Sequence, residues 1–241
     1  MATYTKKGAR NTDDLICQQH TGLRTNIYIP LDIIVGTEGN DVLRGINGQK
    51  NRVNGLGGDD QIYGGDIADI LNGGGGSDVL FGNAGNDTLK GGAGNDFIRG
   101  EEGDDTLRGG KSDDELVGGT GDDIFVFAEG DDADEIVNEY NTDDMDTVKF
   151  TDVAATEITK VSRHLENMTL HYGTSDQLTI KSYFYFNGIN IDQLQFSEGV
   201  VWTFADIKPK AIQGTADAHP CVLDVGNPCR HDDLICIFSI L

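Results

Sequence analysis

Eight consecutive nine-residue units run from Gly55 to Val126 without a gap: GLGGDDQIY, GGDIADILN, GGGGSDVLF, GNAGNDTLK, GGAGNDFIR, GEEGDDTLR, GGKSDDELV and GGTGDDIFV. Three columns are complete. The first holds Gly55, Gly64, Gly73, Gly82, Gly91, Gly100, Gly109 and Gly118; the sixth holds Asp60, Asp69, Asp78, Asp87, Asp96, Asp105, Asp114 and Asp123. The eighth is always apolar: Ile62, Leu71, Leu80, Leu89, Ile98, Leu107, Leu116 and Phe125. A fixed period of this kind belongs to a repeat architecture and governs the fold before any single residue does. The fourth column is looser, with Ile67 and Ser112 in place of glycine.

Upstream, GTEGNDVLR (Gly36 to Arg44) is a further copy, one residue out of step. With Gly45 as the insertion, Ile46 to Asn54 falls into register, Asn51 in the acidic column and Val53 in the apolar one. The array then starts at Gly36.

Each column has a physical role. Glycine tolerates positive φ and close backbone approach, so a six-residue glycine-rich segment turns sharply with its carbonyls facing inward. The remaining three residues suit a very short strand with one inward side chain. Nine residues make a turn and a strand, two units complete a circuit, and each unit stacks on the one eighteen residues away. The aspartates therefore form two rows: Asp60, Asp78, Asp96, Asp114 and Asp69, Asp87, Asp105, Asp123.

Strands in a parallel stack lie about 4.8 Å apart, so bare carboxylate rows repel. The chain as a whole carries 41 acidic and 18 basic residues, a net charge of −23, which argues against nucleic acid and anionic membrane as partners and for cations or basic proteins. Ca²⁺ fits the rows because it takes six to eight oxygens, carboxylate and carbonyl, in flexible geometry. Mg²⁺ demands a more regular cage, and Zn²⁺ wants His or Cys, which the array lacks. Two rows of four leave six gaps; the segment from Gly55 to Val126 has 16 acidic and 4 basic side chains, an excess that six divalent ions would balance. Asp59, Asp104, Asp113 and Asp122, beside the column, read as solvated side chains rather than ligands. Asn51 is a candidate for one weaker additional site facing Asp69.

These units resemble the GGxGxDxUx nonapeptide of RTX (repeats-in-toxin) haemolysin-type calcium-binding proteins; GGAGNDFIR meets every fixed position. The resemblance implies an all-β fold: a right-handed parallel β-roll with Ca²⁺ between stacked loops. The ligands it implies are the sixth-position aspartates and loop carbonyls, among them those of Gly64, Gly73, Gly82, Gly91, Gly100 and Gly109. It also implies export through a type I secretion apparatus to the extracellular medium without a cleaved signal peptide. The start of the chain, basic with no apolar run behind it, agrees. The longest apolar run, LICIFSIL (Leu234 to Leu241), is under half of what a spanning helix needs.

After Val126 the glycine period gives way to IFVFAEG, DEIVNEY, DTVKFTD, MTLHYG, DQLTIKSYFYF and IDQLQFSEGVVWTF, alternating segments that predict short strands. This part is similar to the β-rich segment that follows the calcium repeats in large RTX proteins and is expected to cap the open end of the roll. Its aromatics Phe184, Tyr185, Phe186, Phe196 and Trp202 read as core. The expected division is an N-terminal extension (1–35), the roll (36–126), a β-rich cap (127–208) and a tail (209–241). The tail opens with IQGTADA, like another repeat, but carries Cys221, Cys229 and Cys236, with Cys17 at the other end. A Cys221–Cys229 disulfide and a zinc cluster with His219 or His231 are both open readings, and the twice-occurring DDLIC has no physical explanation.

No histidine begins an HExxH and no serine sits in GxSxG. The 35 residues before the array are too few for a catalytic domain. The expectation is a non-enzymatic, calcium-binding secreted module. The alternative is a remnant or subunit of a larger RTX toxin, bacteriocin, adhesin or secreted enzyme.

Overall fold

A computed structural model describes residues 32–137, 144–183 and 191–213. Through the array the strands are β1 (Asp32–Val35), β2 (Val42–Arg44), β3 (Asn51–Gly57), β4 (Gln61–Tyr63), β5 (Ile70–Gly75), β6 (Val79–Ala84), β7 (Thr88–Ala93), β8 (Phe97–Glu102), β9 (Thr106–Lys111), β10 (Glu115–Thr120) and β11 (Ile124–Phe127). Odd-numbered strands form one sheet and even-numbered strands the other, each pair parallel, as a solenoid of two units per turn requires. Leu71 is opposite Leu89, Leu80 opposite Ile98 and Leu89 opposite Leu107, the eighteen-residue stacking expected of the repeat. The fold is a β-roll.

The core is the eighth column. Val53, Ile62, Leu71, Leu80, Leu89, Ile98, Leu107, Leu116 and Phe125 are all buried, contributed alternately by the two sheets. One apolar side chain per unit is enough because strand residues on either side of it point outward.

From β5 to β10 each strand has six residues rather than the three expected, and the glycines explain why. In β5 and β7 pairing covers Ile70–Asn72 with Thr88–Lys90, skips Gly73 and Gly91, then resumes with Gly74 opposite Gly92 and Gly75 opposite Ala93. The chain bends at the first column and goes on pairing through the next two positions. Positive φ occurs at the second and fourth positions instead, as at Gly92 (φ 127°) and Gly94 (φ 115°).

The nine-residue period ends at Val126, but the sheets do not. They take in β12 (Ala133–Ile136), β13 (Thr147–Phe150), β14 (Lys160–His164), β15 (Asn167–Tyr172), β16 (Asp176–Ile180), β17 (Gln193–Gln195) and β18 (Val201–Thr203), followed by helix α1 (Phe204–Gln213). β12, β13, β16 and β17 pair parallel onto the roll, whereas β14–β15–β16 and β17–β18 are antiparallel. Antiparallel turns end the parallel stack, and α1 buries Ile207 and Ala211 beside them. Phe150 stacks on Phe196 at 5.3 Å and meets Tyr172 edge-on at 5.1 Å; Phe196 packs against Trp202 at 4.7 Å. Phe184, Tyr185, Phe186, all four cysteines, His219, His231 and both DDLIC copies lie outside the described residues.

Candidate metal centre

The sixth-column aspartates stand where each chain segment leaves its turn and enters a strand, and all eight are buried. Their Oδ1 atoms are anchored by the neighbouring coil. The N–H of Asp60 donates to Asp78 Oδ1, that of Asp78 to Asp96 and that of Asp96 to Asp114, each at 2.8 Å. In the second row Asp69, Asp87 and Asp105 donate to Asp87, Asp105 and Asp123 at 2.6, 2.7 and 2.9 Å. Both rows follow the order expected from the eighteen-residue stacking.

The second carboxylate oxygen is different. Oδ2 of Asp60, Asp78, Asp87, Asp96, Asp105, Asp114 and Asp123 is buried without a hydrogen-bond partner. A buried, unpartnered anionic oxygen is costly, and repeating it along two rows is more so. Asp69 departs from the set, because its Oδ2 accepts the N–H of Gly65 at 2.5 Å.

The first-column glycines make room for these oxygens. A Cβ on Gly82 would lie 2.5 Å from Asp87 Oδ2 and 2.6 Å from the carbonyl oxygen of Gly100 in the next coil. The same encounter of own-unit carboxylate and next-coil carbonyl occurs at Gly55 with the carbonyl of Gly73, at Gly64 with Gly82 and at Gly73 with Gly91. Glycine is needed here for space, since these residues do not have positive φ. The carbonyls of Gly73, Gly82, Gly91 and Gly100 thus approach the corner that the aspartates occupy. The carbonyl of Gly64 accepts Asn83 Nδ2 at 2.9 Å, and Gly109 stands across the pairing gap from Gly91.

Burial dominates the electrostatics. It pushes the carboxyls of Asp78 and Asp105 up to about 6, those of Asp87 and Asp96 to about 7, and those of Asp114 and Asp123 to about 8. The neighbouring backbone N–H opposes the shift in each, and nearby aspartates add to it. Asp60 is raised for the same first reason.

At the N-terminal end the rows are closed by hydrogen bonds. Asp41 is in line despite its offset: its N–H donates to Asp60 Oδ1 at 2.8 Å, and Val42 pairs with Gln61. Its Oδ2 accepts Thr37 N–H and Oγ1. Asn51 is in register too, with Nδ2 2.9 Å from Asp69 Oδ1 and its own Oδ1 accepting Ile46 N–H. The amide thus meets Asp69 as a donor, while its oxygen accepts one N–H from its own loop.

The aspartates beside the column are exposed, but more than solvated. Asp59, Asp104, Asp113 and Asp122 accept backbone N–H groups of Ser77, Asp122, Ala133 and Met145 in adjacent coils.

Both rows also continue past the repeats. Asp114 N–H donates to Asp134 Oδ1, Asp123 N–H to Asp146 Oδ1, and Asp146 N–H to Asp192 Oδ2. A nine-residue search misses these because the spacings are 20, 23 and 46. The surviving signal is an aspartate two residues before a buried apolar side chain: DEI, DTV and DQL, with Ile136, Val148 and Leu194 buried.

Carboxylate and carbonyl oxygens without nitrogen or sulfur are a hard donor set, suited to Ca²⁺ rather than to softer transition metals. Among the described residues no three His, Cys, Asp or Glu side chains converge on one point. A site in these rows therefore draws on two aspartates from successive coils and on main-chain oxygens.

Residues 32–133 match the family described as RTX calcium-binding nonapeptide repeat (4 copies), in overlapping segments 32–49, 46–80, 63–98, 72–107 and 99–133. Residues 170–206 match the haemolysin-type calcium binding protein related domain. Among solved structures, the crystal structure of extracellular lipase LipA from Serratia marcescens aligns at 19% identity and a TM-score of 0.32, over 68% of this chain and 38% of that one. The chain thus spans well under half the length of that protein. No curated protein matches the sequence.

Proposed function

We propose that this chain, whose residues 32–133 are RTX calcium-binding nonapeptide repeats, is a secreted module that folds when it binds Ca²⁺ outside the cell. RTX repeats of this type bind Ca²⁺, and proteins that carry them are typically secreted. Among the described residues no helix is long and apolar enough to cross a membrane. The reading takes residues 36–126 as the calcium-binding roll and 127–208 as the cap that carries its sheets to an end.

The observation that supports the reading best is the repeated burial of an aspartate Oδ2 with no donor. We assign the ligand role to Asp60, Asp69, Asp78, Asp87, Asp96, Asp105, Asp114 and Asp123, with glycine carbonyls at the corners between them. Ca²⁺ would supply positive charge along rows that otherwise repel. The chain does the rest: backbone N–H groups fix one oxygen of each carboxylate, the first-column glycines leave space for the other, and the eighth-column side chains exclude water behind them. Rows of unneutralised carboxylates and 33 glycines to order oppose folding when calcium is scarce.

Extracellular calcium modules bind with dissociation constants of about 10⁻⁴ to 10⁻³ M, too weak to load at cytosolic calcium. The array therefore stays unfolded and threadable inside the cell, passes a type I exporter, and folds at the exit, which opposes backsliding. Repeats of this kind are typically non-catalytic, and the role assigned is binding.

Circular dichroism of the full chain tests the folding claim: β-structure in millimolar Ca²⁺ and its loss in chelator are expected, and a spectrum indifferent to chelator contradicts it. Secretion through a type I exporter at micromolar and millimolar external calcium tests the ratchet, which export independent of calcium would refute.

The second reading, a part of a larger toxin, bacteriocin, adhesin or enzyme, is favoured by the first coil. Ile34 and Leu43, opposite the fully buried Val53 and Ile62, are only partly buried on β1 and β2, which end the two sheets among the described residues. Another domain stacked there would cover them.

A further inference from the structure

Beyond the last nonapeptide, Glu129 to Val137 (EGDDADEIV) keeps the backbone of a repeat with Glu129 and Asp132 in place of its first- and fourth-position glycines. Counted from Glu129, the second and fourth residues, Gly130 and Asp132, have φ of 87° and 72°, the two positions at which the array turns left-handed. The sixth is Asp134, buried, and the eighth is Ile136, buried in the core. Glutamate and aspartates stand at positions one, three and four. Two residues, Phe127 and Ala128, separate this unit from the array, and the family match ends at residue 133.

Asp134 takes the same place against Asp114 that Asp114 takes against Asp96. Within the array, Asp96 N–H donates to Asp114 Oδ1 at 2.8 Å and Glu115 N–H to the Asp96 carbonyl at 2.9 Å. At the junction, Asp114 N–H donates to Asp134 Oδ1 at 3.1 Å and Glu135 N–H to the Asp114 carbonyl at 2.8 Å. Asp134 is 3% exposed, yet its Oδ2 has no hydrogen-bond partner, and neither has Oδ2 of Asp114. The neighbouring Asp131 is compensated otherwise, with Oδ1 3.7 Å from Arg108 Nη2 and Oδ2 accepting Ala128 N–H at 2.7 Å. On the far side the row stops, because β16 places Leu178 opposite Asp134.

We infer that Asp114 and Asp134 form a Ca²⁺ site between the last repeat coil and the first coil of the cap, outside the nonapeptide motif. The site ties the calcium-dependent roll to the cap, so cation binding reaches the segment that ends the sheets. The inference rests on the aspartate rows being calcium ligands, and its test separates the two.

The test is calcium stoichiometry by equilibrium dialysis of the full chain, with Asp134→Asn and Asp96→Asn. Asparagine keeps an acceptor for Asp114 N–H while removing the charge. Asp134→Asn is expected to bind one calcium fewer per chain than wild type; an unchanged stoichiometry with Asp96→Asn reduced overturns this site alone. If Asp96→Asn is also unchanged, the ligand role of the rows fails and this site with it. Should Asp134→Asn lack the wild-type circular dichroism in saturating calcium, terbium luminescence decides. Tyr172 is fully buried on β15, two strands from Asp134 in the same sheet. Tyr172→Phe should therefore remove the largest share of tyrosine-sensitised Tb³⁺ emission of any single Tyr→Phe variant, and undiminished emission overturns the site.

Discussion

Asp96 fills the space in which a Cβ on Gly91 would stand: all three atoms nearest that position belong to the Asp96 side chain. The two complete polar columns of the repeat are thus one steric unit. Gly91→Ala should destabilise the calcium-loaded chain by about 1–3 kcal/mol, and adding Asp96→Gly should remove most of that increment. Thermal unfolding of the two single variants and the double variant measures the coupling; strict additivity would contradict it. Gly92→Ala should not be rescued, because Gly92 has φ 127° and its Cβ would meet the Gly74 carbonyl.

The position of an aspartate in its row sets its effect. Read from the repeats alone, Asp123 ends a row and bridges one gap, but its N–H donates to Asp146 and its Oδ1 accepts from Asp105. Asp96→Ala and Asp123→Ala should therefore lower calcium cooperativity alike. Asp41→Ala should cost less, because Asp41 is not buried and Thr37 already supplies donors to its Oδ2. Calcium titrations of the three variants check the order.

Ser112 stands at the fourth position, where Gly76, Gly94 and Gly121 stand in other units, with φ 80°. Holding a non-glycine residue there costs about 1 kcal/mol or more. Ser112→Gly should raise stability by about 1 kcal/mol, read from chemical denaturation in saturating calcium. A loss of stability would show that the serine compensates in some other way.

This distribution of positive φ also marks where the sequence was legible and where it was not. The eighth column, the eighteen-residue stacking and the two rows followed from an unbroken period, because insertion-free repeats must superpose. Asp41 looked out of step, yet the turn between β2 and β3 absorbs the extra residue before the sheets resume pairing. Asp134, Asp146 and Asp192 escaped because insertions between coils leave the stack intact while destroying the period. That the first-column glycines make room for the carboxylates, while positive φ falls on the second and fourth positions, is visible only once the side chains are placed.

Raised carboxyl pKa values give the pH dependence its sign. Asp87 and Asp96 go to about 7 and Asp114 and Asp123 to about 8 in the folded chain without metal, from 3.8. Protonation of these groups therefore favours the fold, fully below about pH 4 and progressively less as pH rises through 7 and 8. The calcium-free chain should be more structured in acid than at neutral pH. In acid, where protonation keeps the calcium-free chain folded, calcium binding should release protons and its apparent affinity should fall as pH is lowered; at neutral pH, where the calcium-free chain is unfolded and its carboxylates are already ionised, release should be small. Calorimetry in buffers of different ionisation enthalpy reads the proton count; pH-independent binding with no release would contradict the assignment.

The central claim is that calcium holds the aspartate rows together, and amide hydrogen exchange at the row residues tests it most directly. The N–H groups of Asp60, Asp69, Asp78, Asp87, Asp96 and Asp105 each donate to the aspartate eighteen residues on. In millimolar Ca²⁺ these six amides should be strongly protected, and in chelator at neutral pH they should exchange at rates near those of an unfolded chain. Equal protection in both conditions would contradict the account.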